Sequence, residues 1–334
     1  MPDLTAPAIS TPAISTAPPL PEYAIETRDL TKQFDRHLAV NNIDLKISPG
    51  EVYGLIGPNG AGKTTLIRML AAAEEPTVGE IYIHGERLVR DRNNTTIKRY
   101  LGYLPDDYPL YEDLTVWDYL DYYARLYELR DPKRTQRLHE VLELVQLEYK
   151  RNSQISELSR GMKQRLGLAR TIVHEPILLL LDEPVSGLDP IARRQFREVI
   201  QTLQEAGMTI LISSHVLSDL AELCTSIGIV ELGCLVESTS LENLYRRLSC
   251  QQIFIKFSEG FDRLTDLLSR APHVESWTPA PDRLSLTVNF SGDADASAQL
   301  LRAIVMANIP ISEFHRTQES LEDIFLKLGH KQVS

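Results

Sequence analysis

A glycine-rich stretch near the start of the chain has the residue types and spacing needed to hold phosphate. Residues 57–65 read GPNGAGKTT, which fits the pattern G-x-x-x-x-G-K-[ST]. In this pattern backbone N–H groups surround the phosphates of a nucleotide, the lysine neutralises them, and the hydroxyl that follows binds Mg²⁺. The predicted nucleotide-binding residues of this loop are Gly57, Pro58, Asn59, Gly60, Ala61, Gly62, Lys63, Thr64 and Thr65.

The segments on either side of this loop are those that an anion site requires. The apolar residues 52–56 predict a short buried strand that enters the loop, and residues 64–73 predict a helix that leaves it. A helix N-terminus offers unpaired N–H groups and the positive end of the helix dipole. The order strand, loop and helix therefore favours phosphate binding over an ordinary glycine-rich turn.

Two adjacent carboxylates could complete a hydrolytic site. Asp182 and Glu183 follow the continuous apolar run ILLLL at 177–181, which is typical of a central parallel strand covered on both faces. Hydrolysis of a nucleotide needs one acidic group near Mg²⁺ and another that activates water. We predict that Asp182 holds Mg²⁺ through water and that Glu183 is the general base. The alternative is a solvated strand exit without chemistry.

A third motif lies between these two. Residues 158–165 read LSRGMKQR, and with them the chain resembles the ATP-binding subunit of ABC transporters, whose signature normally reads LSGGQ. Arg160 and Met162 replace a glycine and a glutamine, whereas Ser159 and Gly161 are retained. In the family these two residues contact the γ-phosphate of ATP bound by the opposite subunit. The resemblance therefore implies two subunits arranged head to tail, with ATP between them.

Three further positions match the family in the expected order. Phe34 lies where the family stacks an aromatic ring on adenine, although an ordinary core aromatic is the alternative. Asp189, in the sequence SGLD, matches the family's D-loop at the subunit interface. His215 follows a predicted strand at 209–212 and matches the switch histidine that contacts the γ-phosphate. The resemblance covers the chain from residue 23 to about 247.

One position departs from the family. Asp106 stands where the family has a glutamine that touches Mg²⁺ and senses the membrane partner. An aspartate could still serve Mg²⁺, but it would place three carboxylates, with Asp182 and Glu183, around one metal ion. We therefore expect Asp106 to be a metal residue, and the sequence supports hydrolysis more strongly than coupling to the membrane partner.

Composition limits the setting in which the chain works. The formal net charge of -11 argues against a nucleic-acid partner, and the longest aliphatic run is far shorter than the roughly 18 residues that cross a bilayer. The three cysteines lack metal-type spacing and no secretory signal precedes them, so a reducing cytosol is expected. By its resemblance the chain would lie on the cytoplasmic face of the membrane, bound to a permease.

The predicted fold is α/β, with a P-loop NTPase core, an ABC-type helical subdomain and a small C-terminal domain. Residues 1–22 are expected to form a disordered tail and 23–247 the ATPase domain, with the helical subdomain at about 105–167. Residues 251–334 show the order βαββαβ, which is ferredoxin-like, followed by a capped helix at 320–328. For this domain we expect a regulatory or dimer-stabilising role, and a purely structural appendage is the alternative.

Tyrosines are concentrated in the predicted helical subdomain. Seven of the chain's 13 tyrosines lie between Tyr103 and Tyr127, and several recur at helical spacing. Tyrosine combines apolar area with a polar tip, which suits a surface that docks a partner. In the family this subdomain receives the membrane subunit. Aromatic packing inside the subdomain is an equal alternative.

The motifs together predict a Mg²⁺-dependent ATPase subunit that powers a separate polytopic membrane permease, as an exporter. The second subunit could be identical or different. The main alternative is a soluble ABC-type ATPase acting in DNA repair, translation or cluster assembly. Repair members carry long coiled coils and translation members carry two cassettes, and the sequence shows neither. A non-hydrolysing binder is disfavoured because Glu183 and His215 are present.

Overall fold

A computed structural model describes residues 21–89, 94–216, 220, 222–248 and 251–317. The predicted disordered tail lies outside the described residues except for its last two positions. The helix predicted at 320–328 lies wholly outside them.

A six-stranded sheet forms the centre of the larger, N-terminal part of the chain. Its strands are β4 (Val52–Ile56), β7 (Leu101–Leu104), β8 (Leu178–Leu181), β9 (Thr209–Ser214), β10 (Ser226–Glu231) and β11 (Cys234–Ser240). They lie in the order β11-β10-β4-β9-β8-β7, and all are parallel to their neighbours except β11. The four leucines of β8 are fully buried, two facing each side. Coverage of both faces explains the uninterrupted apolar run.

An antiparallel sheet covers one face of this central sheet. It contains β1 (Ile25–Phe34), β2 (His37–Ile43), β3 (Lys46–Ile47), β5 (Val78–Ile83) and β6 (Glu86–Arg87). Helix α1 (Lys63–Leu70) packs into the core that the two sheets share, and α2 (Thr95–Tyr100) precedes β7. The prediction that the first helix reaches residue 73 was wrong. Ala72 has a positive φ of 53°, which stops the helix although no glycine marks the position.

Helices cover the opposite face. They are α3 (Val116–Leu126), α4 (Lys133–Leu144), α5 (Arg160–Ile172) and α6 (Pro190–Glu205), with single 3₁₀ turns at Glu148–Lys150 and Ile155–Glu157. The predicted cap of α3 is present, because the Thr115 hydroxyl accepts a hydrogen bond from the Asp118 N–H at 3.1 Å. These helices share one apolar core with the central sheet.

The C-terminal part has its own core. After α7 (Leu241–Leu248) come β12 (Gln251–Phe257), α8 (Phe261–Arg270), β13 (Val274–Pro279), β14 (Ser285–Phe290), α9 (Ala294–Met306) and β15 (Ile311–Thr317). The strands pair antiparallel in the order β13-β14-β12-β15. This is the predicted ferredoxin-like arrangement. The alternation in β14 buries Leu286, Val288 and Phe290 against the two helices.

Candidate nucleotide-binding and hydrolysis site

Four adjacent parallel strands, β4, β9, β8 and β7, end at the same edge of the central sheet. The C-terminal edge of a parallel sheet is where loops from several strands meet and where ligands bind. The loops that leave these four strands carry the phosphate loop, His215, the Asp182–Glu183 pair and Asp106. The fold therefore gathers four segments that are far apart in the sequence.

The phosphate loop is closed tightly around its lysine. Gly62 has a φ of 106°, and a Cβ at this position would collide with the carbonyl oxygen of Ala39, so only glycine fits. Lys63 begins α1 and is 5% exposed. Its Nζ donates hydrogen bonds to the carbonyl oxygens of Gly57 at 2.7 Å and Pro58 at 3.2 Å. The positive charge is thereby held inside the loop.

Asp182 is fully buried at the end of β8. Its Oδ1 accepts a hydrogen bond from the Ser213 hydroxyl at 2.7 Å. Burial raises the pKa of Asp182, the hydroxyl groups of Ser213 and Thr64 oppose the shift, and the charges of Asp106 and Glu183 add to it. The same Ser213 oxygen accepts the N–H of Glu183 at 2.9 Å. One hydroxyl therefore positions both acidic residues.

The Glu183 carboxylate lies between the side chains of Lys63 and His215. Its Oε1 is 3.4 Å from Lys63 Nζ, and its Oε2 is 2.7 Å from His215 Nδ1. The Glu183 backbone is in the left-handed region, with a φ of 48°. Such backbone conformations cost about 1–3 kcal/mol and persist where the surroundings enforce them. The strained turn directs the Glu183 carboxylate towards the phosphate loop instead of towards solvent.

Lys63, Glu183 and Asp106 line one cavity of about 280 Å³. The described lining residues are Phe34, His37, Ala39, Asn59, Gly60, Ala61, Gly62, Lys63, Thr64, Thr65, Asp106 and Glu183. Phe34 is 42% exposed at the cavity wall, with Lys32 Nζ 4.7 Å from its ring centroid. It is therefore not the core aromatic that the sequence left as an alternative. Asp106 is exposed and lies on the same cavity wall.

The donor set fits a divalent cation that is shared with phosphate. Asp182 Oδ2 is buried and has no partner of ordinary hydrogen-bond geometry among the described residues, although the Thr64 hydroxyl lies close enough to lower the pKa of Asp182. Buried carboxylate oxygens are normally paired, so a free one facing the phosphate loop is suited to a metal or a metal-bound water. The described part of the chain contains no cluster of three or more acidic, histidine or cysteine side chains able to hold a metal. Phosphate and water oxygens would have to complete the shell.

The predicted signature and D-loop residues lie elsewhere. Among the described residues, neither Ser159, Gly161 nor Asp189 lines the cavity. Ser159 is exposed and caps α5 by accepting the Met162 N–H at 3.3 Å. Asp189 caps α6 through the Ala192 N–H at 2.9 Å. Within one chain both residues act as helix caps, and they do not meet the phosphate loop.

The tyrosine-rich segment contains both buried and exposed aromatic side chains. Tyr119 is fully buried, and Arg170 packs against Tyr108 and Tyr123 at 4.9 and 5.3 Å from their ring centroids. Tyr111 and Tyr122 are instead 48% and 47% exposed, with their ring centroids 6.3 Å apart. Leu126, one turn after Tyr122, is also exposed. The segment thus has an internal aromatic core and an exposed aromatic surface.

Ser213 is the residue of this site for which the sequence predicts no role. A serine inside an apolar strand offers no distinctive spacing, and its two hydrogen bonds depend on the register between β8 and β9. The only local signal is its position two residues before His215. The register of neighbouring strands, which the sequence does not show, decides which side chains meet.

Within the described residues, the structure has no helix that is both long and apolar enough to span a membrane.

A family model described as "ABC transporter" matches residues 40–186. A second model, described as "ATP-binding protein DrrA1-3-like, C-terminal domain", matches residues 240–328.

Two relatives and one solved structure match most of the same region. "Bacitracin transport ATP-binding protein BcrA" of Bacillus licheniformis is 33% identical, over 91% of this chain and 96% of its own length. "Nod factor export ATP-binding protein I" of Cupriavidus metallidurans is 30% identical, over 92% of this chain and 98% of its own length. A structure described as "ATP binding subunit of ABC transporter" is 32% identical, with a TM-score of 0.60, and covers 67% of this chain and 92% of its own.

Proposed function

Because the chain belongs to the family of ABC transporter ATP-binding proteins, which hydrolyse ATP, we propose that it is the ATPase subunit of an exporter and powers a separate polytopic permease. Relatives that align with this chain over nearly their whole length have transport or export in their names. These relatives favour a role in transport over a soluble ATPase of repair, translation or cluster assembly.

The observation that carries this proposal is the meeting of Lys63 and Glu183 on one cavity wall, with His215 in contact with the Glu183 carboxylate. Lys63 would offset the negative charge of the phosphates. Glu183 would accept the proton of the water that attacks the γ-phosphate, and His215 would hold the Glu183 carboxylate in place. Phe34 would stack on the adenine ring at the cavity wall.

Thr64, Asp182 and Asp106 are the residues that would hold Mg²⁺. The ion, when bound with ATP, neutralises charge that develops on the phosphates. The unpartnered Asp182 Oδ2 supports this assignment, and so does the position of Asp106 on the cavity wall. The third carboxylate nearby, Glu183, is 3.4 Å from Lys63 and is engaged there. Electrostatic repulsion between carboxylates would therefore act mainly between Asp106 and Asp182.

We propose further that ATP is held between two chains arranged head to tail. Ser159 and Gly161 do not line the cavity of their own chain, and Ser159 presents the exposed N-terminus of α5. A helix N-terminus is suited to phosphate. In the dimer, Ser159 and Gly161 of one chain would meet the nucleotide on the partner's phosphate loop, and Asp189 would lie along the interface.

Mixing two inactive variants tests this arrangement. Lys63→Ala disables the phosphate loop and Ser159→Arg blocks the signature, so each variant alone should have little ATPase activity. In a mixed dimer one composite site carries both defects and the other carries neither. Turnover should therefore reappear on mixing. A mixture with no more activity than its components would contradict the shared site.

The exposed aromatic surface of α3 would receive the permease. Tyr111, Tyr122 and Leu126 place apolar area and polar tips on one side of the helical subdomain. Tyr122→Ala should reduce co-purification with the membrane subunit while leaving ATP hydrolysis by the isolated chain unchanged.

For residues 251–334 we propose a regulatory or dimer-stabilising role, because their described part has its own apolar core.

A further inference from the structure

Arg160 forms a contact between the signature helix and the loop that follows Glu183. It is the first residue of α5, and its Nη2 donates a hydrogen bond to the Ser186 carbonyl oxygen at 3.0 Å. Its guanidinium also covers Gly187. A Cβ built on Gly187 would lie 2.5–2.6 Å from the two terminal nitrogens and from Cζ of Arg160. The side chain therefore lies across the loop backbone.

The surrounding structure explains why Arg160 occupies this place. Gly161 is buried against α6, where a Cβ would lie 2.5 Å from the Ala192 Cβ, so the two helices approach closely. This approach brings the N-terminus of α5 next to the loop. A cation is unfavourable at a helix N-terminus, because the helix dipole is positive there. The Ser186 carbonyl oxygen offsets that cost by accepting a hydrogen bond.

Two consecutive hydrogen bonds connect Arg160 to Glu183 through Ser186. The Ser186 N–H donates to the Glu183 carbonyl oxygen at 3.1 Å, which closes the turn after the acidic pair. Arg160 holds the other side of the same residue, the Ser186 carbonyl oxygen. Glu183 itself has a strained φ of 48°. A displacement of Arg160 would therefore be transmitted directly to a turn whose conformation depends on its surroundings.

We propose that Arg160 is a positioning residue that couples the two nucleotide sites of the dimer. This inference rests on the proposed function, in which Ser159 and Gly161 of one chain meet the nucleotide held by the partner. Engagement of that nucleotide fixes the N-terminus of α5. Arg160 passes this constraint to the loop at Ser186 and Gly187, and hence to Glu183 at the chain's own site. ATP at one site thus accelerates hydrolysis at the other without being required for it.

ATPase rates measured against ATP concentration test the coupling. The proteins are wild type, Arg160→Ala, Arg160→Lys and the control Arg194→Ala, which removes an exposed α6 arginine paired with Glu198 at 3.1 Å. Wild type and the control should be cooperative. Arg160→Ala should lose cooperativity and about tenfold in kcat, as expected when a charge-assisted hydrogen bond that orients the base is removed.

Arg160→Lys should recover part of the cooperativity, because an ammonium group can donate to the Ser186 oxygen but cannot cover Gly187. A merely structural contact would lower stability without changing the Hill coefficient. The proposal would be overturned if the wild-type protein hydrolyses ATP without cooperativity, or if Arg160→Ala has the same Hill coefficient as wild type. The mixing experiment separates the two failures: if the Lys63→Ala and Ser159→Arg variants complement each other, the shared site stands even when Arg160 has no part in coupling.

A thermal double-mutant cycle tests the contact itself without ATP. Gly187→Ala should lower Tm more in wild type than in Arg160→Ala, because the added methyl group meets the guanidinium only in the former. The φ of 66° at Gly187 disfavours alanine equally in both backgrounds. Equal decreases in Tm would show that the guanidinium does not cover Gly187, and would overturn the proposal at its first step.

Discussion

Removing the Ser213 hydroxyl should damage the site more than its single oxygen suggests. Ser213 is fully buried and serves two partners, the Asp182 carboxylate at 2.7 Å and the Glu183 N–H at 2.9 Å. Ser213→Ala leaves both without that partner. A hydrogen bond to a charged group contributes about 1.5–3 kcal/mol and a neutral one about 1 kcal/mol. We therefore expect a loss of about 2–4 kcal/mol in the free energy of unfolding.

Ser214→Ala is the matched control. Ser214 is the next residue of β9 and is almost equally buried, but among the described residues its hydroxyl accepts only the Val216 N–H, at 3.0 Å. We expect a loss of about 1 kcal/mol for this variant. Urea unfolding at neutral pH compares the two. Equal losses, or a stable Ser213→Ala protein, would refute the reasoning that one hydroxyl supports both acidic residues.

The effect of Ser213→Ala should also depend on pH. The pKa of Asp182 is raised by burial, so keeping it ionised costs stability at neutral pH. The Ser213 hydrogen bond opposes this shift, and its removal raises the pKa of Asp182 further. The cost of the raised pKa builds up as pH rises above the unfolded-state pKa, and the extra cost in Ser213→Ala builds up above the folded-state pKa of wild type. The penalty of Ser213→Ala should therefore grow as pH rises through that pKa and shrink on acidification. A penalty that does not vary with pH would contradict this.

Three further predictions concern single side chains. Burial lowers the pKa of His174 from 6.5 to about 4, so the stability that its neutral form contributes, up to about 3 kcal/mol, should be lost as pH falls through that interval. His174→Gln should flatten this part of the curve in urea unfolding at several pH values, and an unchanged slope would count against the assignment. Asp106→Gln should make the ATPase rate depend less steeply on free Mg²⁺, because it removes a charge that repels Asp182. If the curves of ATPase rate against free Mg²⁺ superimpose for wild type and the variant, Asp106 is an ordinary loop residue. Phe34→Ala should weaken ATP binding roughly three- to tenfold at unchanged Tm, since the ring is largely exposed; calorimetric titration showing unaltered affinity would exclude stacking.

The sequence predicts most of the fold because its local patterns agree with the environment each segment meets. The uninterrupted leucines of β8 are buried on two sides, and the alternation in β14 matches a sheet covered on one face. The first helix is an exception, because it ends at Leu70, where Ala72 takes a positive φ. Alanine favours helices, so its local preference is overridden by the turn that leads into β5.

The convergence of Lys63 and Glu183 could be anticipated, since both follow parallel strands that end at one edge. The contacts of Ser213 and Arg160 could not. Ser213 depends on strand register, and Arg160 depends on how closely α5 approaches α6 across Gly161. Both are set by packing between elements that are distant in the sequence, and neither leaves a periodic pattern.

If Glu183 activates water in an ATP site shared by two chains, Glu183→Gln should separate ATP binding from hydrolysis. The measurements are single-turnover ATP hydrolysis and oligomeric state in the presence of Mg²⁺ and ATP. The amide keeps the size of the side chain but cannot accept the proton of the attacking water. We expect this variant to bind ATP, to hydrolyse it far more slowly than wild type and to accumulate as a dimer. Hydrolysis at the wild-type rate would contradict the assignment of Glu183, and a monomer saturated with ATP would contradict the shared site.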